Sequence, residues 1–599
     1  MHPSLQIKRP IGLWTLSLVA VVVGVVTGFG AIFFRGLIGL IHNVMFLGQW
    51  SLAYDANQYT PASPWGAAVI LVPVVGGLGV VFLVKTFAPE ARGHGVPEVM
   101  DAIYYNDGKI RPVVAVIKSL ASALAIGSGA SVGREGPIIQ IGASLGSSIG
   151  RIIAMAPWQR ITLVAAGAGA GIAATFNTPI GGVMFAIELM LPEVSARTFL
   201  PVALATGTAT FVSRHFVGGN PAFDVPSTLS LASQPASLQA LLLCVLLGAI
   251  CGLASAGFIR GLNLSESLCE RIANPYLRHA LAMLAVGATL YAFWVYSGHY
   301  HIEGVGYATV QDILTGGLLA APFLLILFIA KLVATVLSLG SGSSGGVFSP
   351  SLFMGATLGA AFGTVCQIFI PVPTMTIPAF AMIGMAAVVG GATGAAMTAV
   401  TMIFEMTRDY EIVMPMIVAV AMAIGVRRVL SRESIYTMKL VARRHSIPKA
   451  MYANMFLVRS AGDVKNDDFV LMPFDTGFDA FLRQPENAGR MRHVVITRGA
   501  HIAGVLRINT SFRRGLEGAY TGVSLGDVAS RRFIIAREDD IMFHVIDRMW
   551  RRQASMIVVV RGRGVPRASS VVGVISKEHI ADSVAASVRP YTDSPRSLR

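Results

Sequence analysis

The residues with the most chemical promise lie in GSGASVGREGPIIQIGASLG, Gly127 to Gly146. Arg134 and Glu135 form an ionisable pair among glycines, and Pro137 stands where the first turn of a helix is expected. A Gly-rich loop opening onto a helix presents free backbone N–H groups and the positive end of the helix dipole, an arrangement that holds anions. A phosphate loop is the first chemistry this suggests, but the Gly-Lys-Ser/Thr ending is missing. A serine nucleophile in GSGAS would need a paired base, and no suitable Ser–His motif is evident. A carboxylate beside such a helix end has a third use. Being itself an anion, Glu135 can occupy an anion position and swing out when protonated or displaced. Adjacent helical residues point apart, so Arg134 is not its simple structural partner and reads as a structural residue or a source of positive potential.

The elements that must carry this stretch are apolar on both sides of it. The 599-residue chain is 54% hydrophobic and 13% charged, well under the charge content of an ordinary globular domain. Runs such as 13–34 and 66–84 are long enough to cross a hydrocarbon core, which takes roughly 20 apolar residues. Similar runs recur near 112–130, 138–156, 161–190, 199–213, 238–259, 279–297, 321–340, 351–370, 377–404 and 411–426. The expected class is a polytopic helical membrane protein. The first run is too long for a signal-peptide core and lacks a small-residue cleavage site close behind it, so it is expected to remain in the chain. Lys8 and Arg9 before it favour a cytoplasmic N-terminus. Cys244, Cys251, Cys269 and Cys366 are scattered and indicate neither a metal site nor a disulfide framework. The net charge of +15 fits positive cytoplasmic loops and attraction of anions better than nucleic-acid binding.

The stretch has a second copy. The 33 residues from Lys118 and the 33 from Lys331 coincide at a constant shift of 213, including Gly127/Gly340, Gly133/Gly346, Pro137/Pro350, Gly142/Gly355 and Gly146/Gly359. Upstream, GHGVPEVMD (93–101) and GVGYATVQD (304–312) share glycines, Val and Asp. Downstream, VMFAIELM and VTMIFEMT each hold one glutamate, Glu188 and Glu405, in an apolar run. Small-residue helix packing explains some of the glycines, but not a fixed register that includes Lys and Pro. Paired Gly/Pro-interrupted segments point to a binding site at mid-membrane, where irregular backbone is tolerated only around a cavity or inside protein. Two half-helix N-termini meeting there would hold an anion. A cation site would need several carboxylates or carbonyls instead.

Three of these segments and one further tyrosine resemble the CLC family of chloride channels and chloride/proton exchangers. They are GHGVP (Gly93, His94, Gly95, Pro97), GREGP (Gly133, Arg134, Glu135, Gly136, Pro137), GVFSP (Gly346, Val347, Phe348, Pro350) and Tyr436, assigned to the last membrane helix. The resemblance implies an inverted-repeat fold with broken half-helices, and a homodimer with one pore per subunit. It implies backbone N–H groups of Val347 and Phe348 and the hydroxyl of Tyr436 as ligands of dehydrated chloride, and Glu135 as gate and outer proton acceptor. It puts a serine where this chain has His94. A neutral imidazole would still donate one N–H, a protonated one would add charge, and a ring turned away would leave a backbone N–H to serve. Family exchangers commonly carry a second glutamate directly after Glu188; here Leu189 stands there and cannot relay a proton. Channel-like or weakly coupled conduction is therefore the expectation, with a chloride/proton antiporter as the alternative and a cation transporter as the remote one. Glu188 and Glu405 are intramembrane carboxylates of the kind that is functional by default, although bonding helix ends is an equal reading. No enzyme activity and no metal or other cofactor are expected.

Composition shifts after about residue 426, and Pro448 ends any helical continuation. Residues 493–508, 541–553, 555–562 and 570–584 read as β-rich runs and amphipathic helices in a duplicated module. This tail resembles a tandem pair of CBS domains. Such pairs often bind adenine nucleotides through an Asp after the second strand, but Thr510 and His579 stand near those places, so a nucleotide is not favoured over a dimer-stabilising cap. The expected organisation is a membrane domain over 1–445, with halves of about 60–215 and 238–430, and a cytoplasmic α/β pair over 446–599, at about 451–512 and 523–590. The setting expected is a bacterial inner membrane with both termini cytoplasmic.

Overall fold

The apolar runs fold as helices. In the computed structural model the residues described are 10–153, 155–226, 237–370, 375–443, 445, 459–482, 492–508, 522–562 and 564–588. Two units divide the chain, Met1–Ile447 and Pro448–Arg599. In the first, the helices are α1 (Leu13–Leu47), α2 (Val72–Phe87), α3 (Val96–Tyr105), α4 (Val113–Gly127), α5 (Glu135–Ile152), α6 (Pro157–Phe176), α7 (Pro179–Phe185) and α8 (Ala196–Val217). They continue as α9 (Leu238–Glu270), α10 (Pro275–Ser297), α11 (Tyr307–Leu314), α12 (Ala321–Ser341), α13 (Phe348–Phe369), α14 (Ile377–Thr393), α15 (Ala396–Thr407), α16 (Val413–Leu430) and α17 (Thr437–Ala442). Among the described residues, seven helical segments are long and apolar enough to cross a membrane.

The packing repeats as the sequence does. Helix α1 lies on α8 as α9 lies on α16, α2 on α4 as α10 on α12, and α5 on α6 as α13 on α14. The last of these pairings explains two of the repeated glycines. A Cβ on Gly142 would stand 2.2 Å from the Gly167 carbonyl oxygen, and one on Gly355 would stand 2.3 Å from that of Gly384. Backbone therefore rides directly on backbone at the same crossing in both halves.

Two apolar runs that read as single stretches are each broken in two. Residues 161–190 divide between α6 and α7, because Asn177 closes α6 in the left-handed region (φ 60°) and Pro179 starts the next helix. Residues 377–404 divide between α14 and α15 at Gly394 (φ 78°). Tyr436 also differs from its expected place: α16 ends at Leu430, and Tyr436 directly precedes the short helix α17.

The second unit holds two three-stranded sheets of identical topology. In one, β1 (Phe469–Pro473) runs parallel to β2 (Arg492–Arg498), which pairs antiparallel with β3 (His501–Ile508). In the other, β4 (Phe533–Arg537), β5 (Met556–Val560) and β6 (Val571–Ser576) repeat the pattern. Even the irregularity is duplicated, since the register slips after Ile496 in β2 and after Val559 in β5. Val495 and Val505 share a buried cluster with Met556, Val558, Val560 and Val574. The Arg507–Glu578 ion pair links β3 to the helix Lys577–Val588 that follows β6. Thr510 lies outside the described residues, and His579 Nδ1 accepts from the Ser576 N–H at 3.2 Å.

Candidate functional site

Three glycine loops meet at the start of three helices. Gly133 N–H donates to the Gly346 carbonyl at 2.8 Å, and Gly346 N–H donates back to Gly133 at 2.6 Å. Gly93 N–H donates to the Ser343 carbonyl at 3.1 Å, and Gly345 N–H donates to that of Gly93 at 3.3 Å. The GHGVP, GREGP and GVFSP loops are thus stitched together by backbone although up to about 250 residues separate them. Helices α3, α5 and α13 begin at Val96, Glu135 and Phe348, directly after these loops. Pro97, Pro137 and Pro350 sit in the first turns, where the ring costs no intrahelical hydrogen bond.

The close approach requires glycine. A Cβ on Gly136 would lie 2.1 Å from the His94 carbonyl oxygen, and one on Gly346 would lie 2.7 Å from the Gly136 nitrogen. Gly93 (φ 76°) and Gly95 (φ 80°) occupy the left-handed region, as do Gly304 and Gly306 in the second copy.

Two lysines hold the loops from behind, one in each half. Lys118, fully buried, donates to the carbonyls of Ala91 at 2.9 Å and Gly93 at 2.7 Å. Lys331, also fully buried, donates to those of Ile302 at 3.0 Å and Gly304 at 2.7 Å. These are the two lysines that open the repeated segments.

Glu135 is 1% exposed, and its carboxylate lies on the N-terminus of α13. It accepts from the Ser349 N–H at 3.2 Å, from the Ser349 hydroxyl, and from the Tyr307 hydroxyl at 2.7 Å. The first N–H groups of a helix have no intrahelical acceptor, so a carboxylate here takes the place an anion would take. Arg134 does not pair with it. Its guanidinium stands 5.3 Å from the Tyr307 ring centre and 5.7 Å from that of Phe176. Two small cavities flank it, both also lined by Arg35.

His94 is buried, and neither ring nitrogen has a hydrogen-bond partner among the described residues. Its ring centre lies 5.7 Å from that of Tyr436, which is also buried. Val347 and Phe348 form the cap and first residue of α13. The structure therefore gathers Glu135, His94, Val347, Phe348 and Tyr436 around one locus.

It puts Glu188 and Glu405 elsewhere. Glu188 accepts from the N–H groups of Met397 (3.2 Å) and Thr398 (2.9 Å) and from the Thr398 hydroxyl (2.8 Å), at the start of α15. Glu405 accepts from the N–H groups of Ile180 (3.1 Å) and Gly181 (2.7 Å), at the start of α7. Each glutamate thus caps a helix of the opposite half. Leu189 is half-buried beside Glu188 within a π-helical turn.

Sequence reasoning missed Tyr307. It is the first residue of α11, in the second copy of the GHGVP segment, and the repeat itself could have drawn attention to it.

Below the site, Glu98 on α3 makes a two-pronged pair with Arg443, one contact being 2.9 Å. Asp101 meets His445, whose ring stacks on Tyr105 at 4.1 Å. Lys439 pairs with Glu266 at 2.8 Å. The Glu98 and Asp101 contacts hold the segment after Tyr436 against α3, and the Lys439–Glu266 pair ties it to α9.

Fold and site together define a membrane transport protein built from two repeated helical halves, with half-helices opening on a shared centre. The voltage-gated chloride channel family model matches residues 76–428, and the chain belongs to that family, the CLC family. It is 30% identical over 435 residues to the H(+)/Cl(-) exchange transporter ClcA of Vibrio parahaemolyticus, covering 71% of this chain and 89% of that protein. It is 32% identical over 433 residues to ClcA of Yersinia pseudotuberculosis, covering 70% and 86%. Among solved structures, a slow cyanobacterial Cl-/H+ antiporter matches with a TM-score of 0.62 at 24% identity, over 72% of this chain and 97% of that one. A eukaryotic CLC transporter matches with a TM-score of 0.58 at 20% identity, over 95% and 98%, a likeness of fold that extends into the tail.

Proposed function

We propose that this CLC protein passes chloride or a similar small anion along a route through the N-terminus of α13, His94 and Tyr436, with the Glu135 carboxylate as its gate. The observation that carries this is the position of Glu135, bonded to the Ser349 N–H in the first turn of α13. A carboxylate there excludes an anion by occupying its place, and yields when protonated or outcompeted. Backbone N–H and hydroxyl donors suit a ligand that must also leave, whereas a fixed ammonium would hold it too tightly. Val347 and Phe348 would donate from the backbone and Tyr436 from its hydroxyl.

Two modes of transport are in contention. Leu189 supports channel-like or weakly coupled conduction, since no acid follows Glu188. The names of the ClcA relatives support chloride/proton exchange at least as well. Either mode would run in a homodimer with one route per subunit, in the inner membrane that the bacterial relatives suggest, with both termini cytoplasmic.

One liposome experiment tests the gate and separates the modes. Chloride efflux under a potassium/valinomycin potential should exceed that from empty liposomes and rise as external pH falls. Glu135→Gln should remove the pH dependence; an unchanged profile defeats the gate. With the potential held near zero, uphill proton uptake driven by chloride establishes exchange, and its absence establishes uncoupled conduction.

A further inference from the structure

Two arginines stand beside the gate with no acid to neutralise them. Arg35 lies in the C-terminal half of α1, upstream of the residues 76–428 that the family model matches, and Arg134 directly precedes Glu135. Both are half-buried, and both line the same two small cavities. Their charges are close enough to act on each other. The Arg134 Nε is buried and has no hydrogen-bond partner among the described residues. The rings of Tyr307 and Phe176 offer its guanidinium their faces, which attract the charge but accept no such bond in the plane of the group.

The acids nearby are spent elsewhere. Glu303 and Asp55 act on Tyr54, which lines one of the cavities together with the arginines. Glu303 bonds His42 at 2.8 Å, and the exposed Asp55 accepts from the Asn57 N–H at 3.0 Å. Glu135 is engaged by Ser349 and Tyr307. Thr175 and Ser213 line the other cavity, but their hydroxyls donate to the carbonyls of Gly171 (2.8 Å) and Ala174 (2.6 Å). The side-chain donors left there are the two guanidiniums.

Like charges sharing a half-buried space repel, and a buried N–H without an acceptor is costly. A water molecule would satisfy the N–H and leave the repulsion; one anion between the guanidiniums removes both penalties. We propose that Arg35 and Arg134 form a docking site for chloride or a similar small inorganic anion, which waits there before it displaces the Glu135 carboxylate. This rests on the reading above that Glu135 gates an anion route. The cavity with Tyr54 borders the gate. Its wall includes Ile126, next to the glycine that opens GSGASVGREGP, and Val305, two positions before the Tyr307 that bonds Glu135. With the N-terminus cytoplasmic, as proposed, the C-terminal half of α1 lies towards the outer face, so the site is loaded from outside.

Uptake of radioactive chloride into right-side-out vesicles from cells making the full chain tests this, because every molecule then presents its outer face. Vesicles lacking the chain are the control. Arg35→Gln should raise the external chloride needed for half-maximal uptake by about tenfold, the scale of losing one charge-assisted hydrogen bond. Arg35→Lys, which keeps the charge, should recover part of that loss. An unchanged half-saturation in Arg35→Gln, or a fall in its maximal rate alone, overturns the proposal and leaves the Glu135 gate standing. Crystals of the native full-length chain grown in bromide give a second reading that needs no variant. An anomalous peak between the Arg35 and Arg134 guanidiniums is expected; bromide found only at the α13 N-terminus, or nowhere, overturns the docking site. If the native chain takes up no more chloride than the control vesicles, the anion route itself falls, and the docking site falls with it.

Discussion

Glu135 is bonded by residues that lie 172 and 214 positions further along the chain, Tyr307 and Ser349. The carboxylate was legible from sequence because a charged residue among glycines in an apolar setting is conspicuous. Tyr307 was not, because an aromatic at the start of a short apolar helix looks the same whether it anchors an interface or bonds a gate. Its role arises only when the two halves close on each other. A hydrogen bond to a charged group contributes about 1.5–3 kcal/mol. Tyr307→Phe should therefore loosen the carboxylate from the α13 end and raise chloride efflux from liposomes at neutral pH, by roughly tenfold. An unchanged rate would mean that Ser349 alone fixes the closed position. Glu188 shows the other use the sequence allowed for it, since its oxygens accept at the start of α15.

At the scale of elements, the constant shift of 213 residues translated directly into paired helix crossings, because a backbone-to-backbone contact tolerates no side chain at either glycine. Gly136→Ala tests a further backbone contact of the same kind, between the start of α5 and the loop before α3. The added methyl meets the His94 carbonyl, which belongs to backbone and cannot rotate away. The cost should reach at least the about 1–3 kcal/mol of an overpacked core, read as a loss of monodisperse protein on size-exclusion chromatography. The breaks at Asn177 and Gly394 were less legible, since hydrophobicity continues across them and a left-handed residue closes each helix, with Pro179 as a further mark at the first alone. Strands β1 and β4 escaped notice for a related reason. Each is five residues long and takes its parallel partner from beyond an intervening segment, so local periodicity says little about it.

Across the whole molecule, charge does different work in the two units. In the tail, Glu578 sits near the start of its helix, where its own backbone N–H, then Arg507 and Ser576, draw its carboxyl down to about 2. A lowered carboxyl stabilises the fold above its unfolded value of about 4.3, and that stabilisation disappears as pH falls from there towards 2. Protection against hydrogen exchange in residues 570–588, taken relative to the intrinsic rate at each pH, should thus fall between about pH 4 and 2, and Glu578→Gln should reduce that loss. Half of this side chain is exposed (53%), so solvent screening keeps the effect small.

In the membrane unit the exchanged glutamates have a consequence for biosynthesis. The start of α7 is satisfied by Glu405 and the start of α15 by Glu188, so neither half completes its own helix ends. A nascent chain that has inserted only its first eight helices carries bare amide groups into lipid, where no water can relieve them. The ribosome must then deliver the remaining half before quality control removes the first. Expressed as separate polypeptides divided within 227–236, each half should be degraded alone, and the two should accumulate only when made in the same cell. The transporter is in that sense a covalent dimer whose joining segment guarantees that each half meets its counterpart at once.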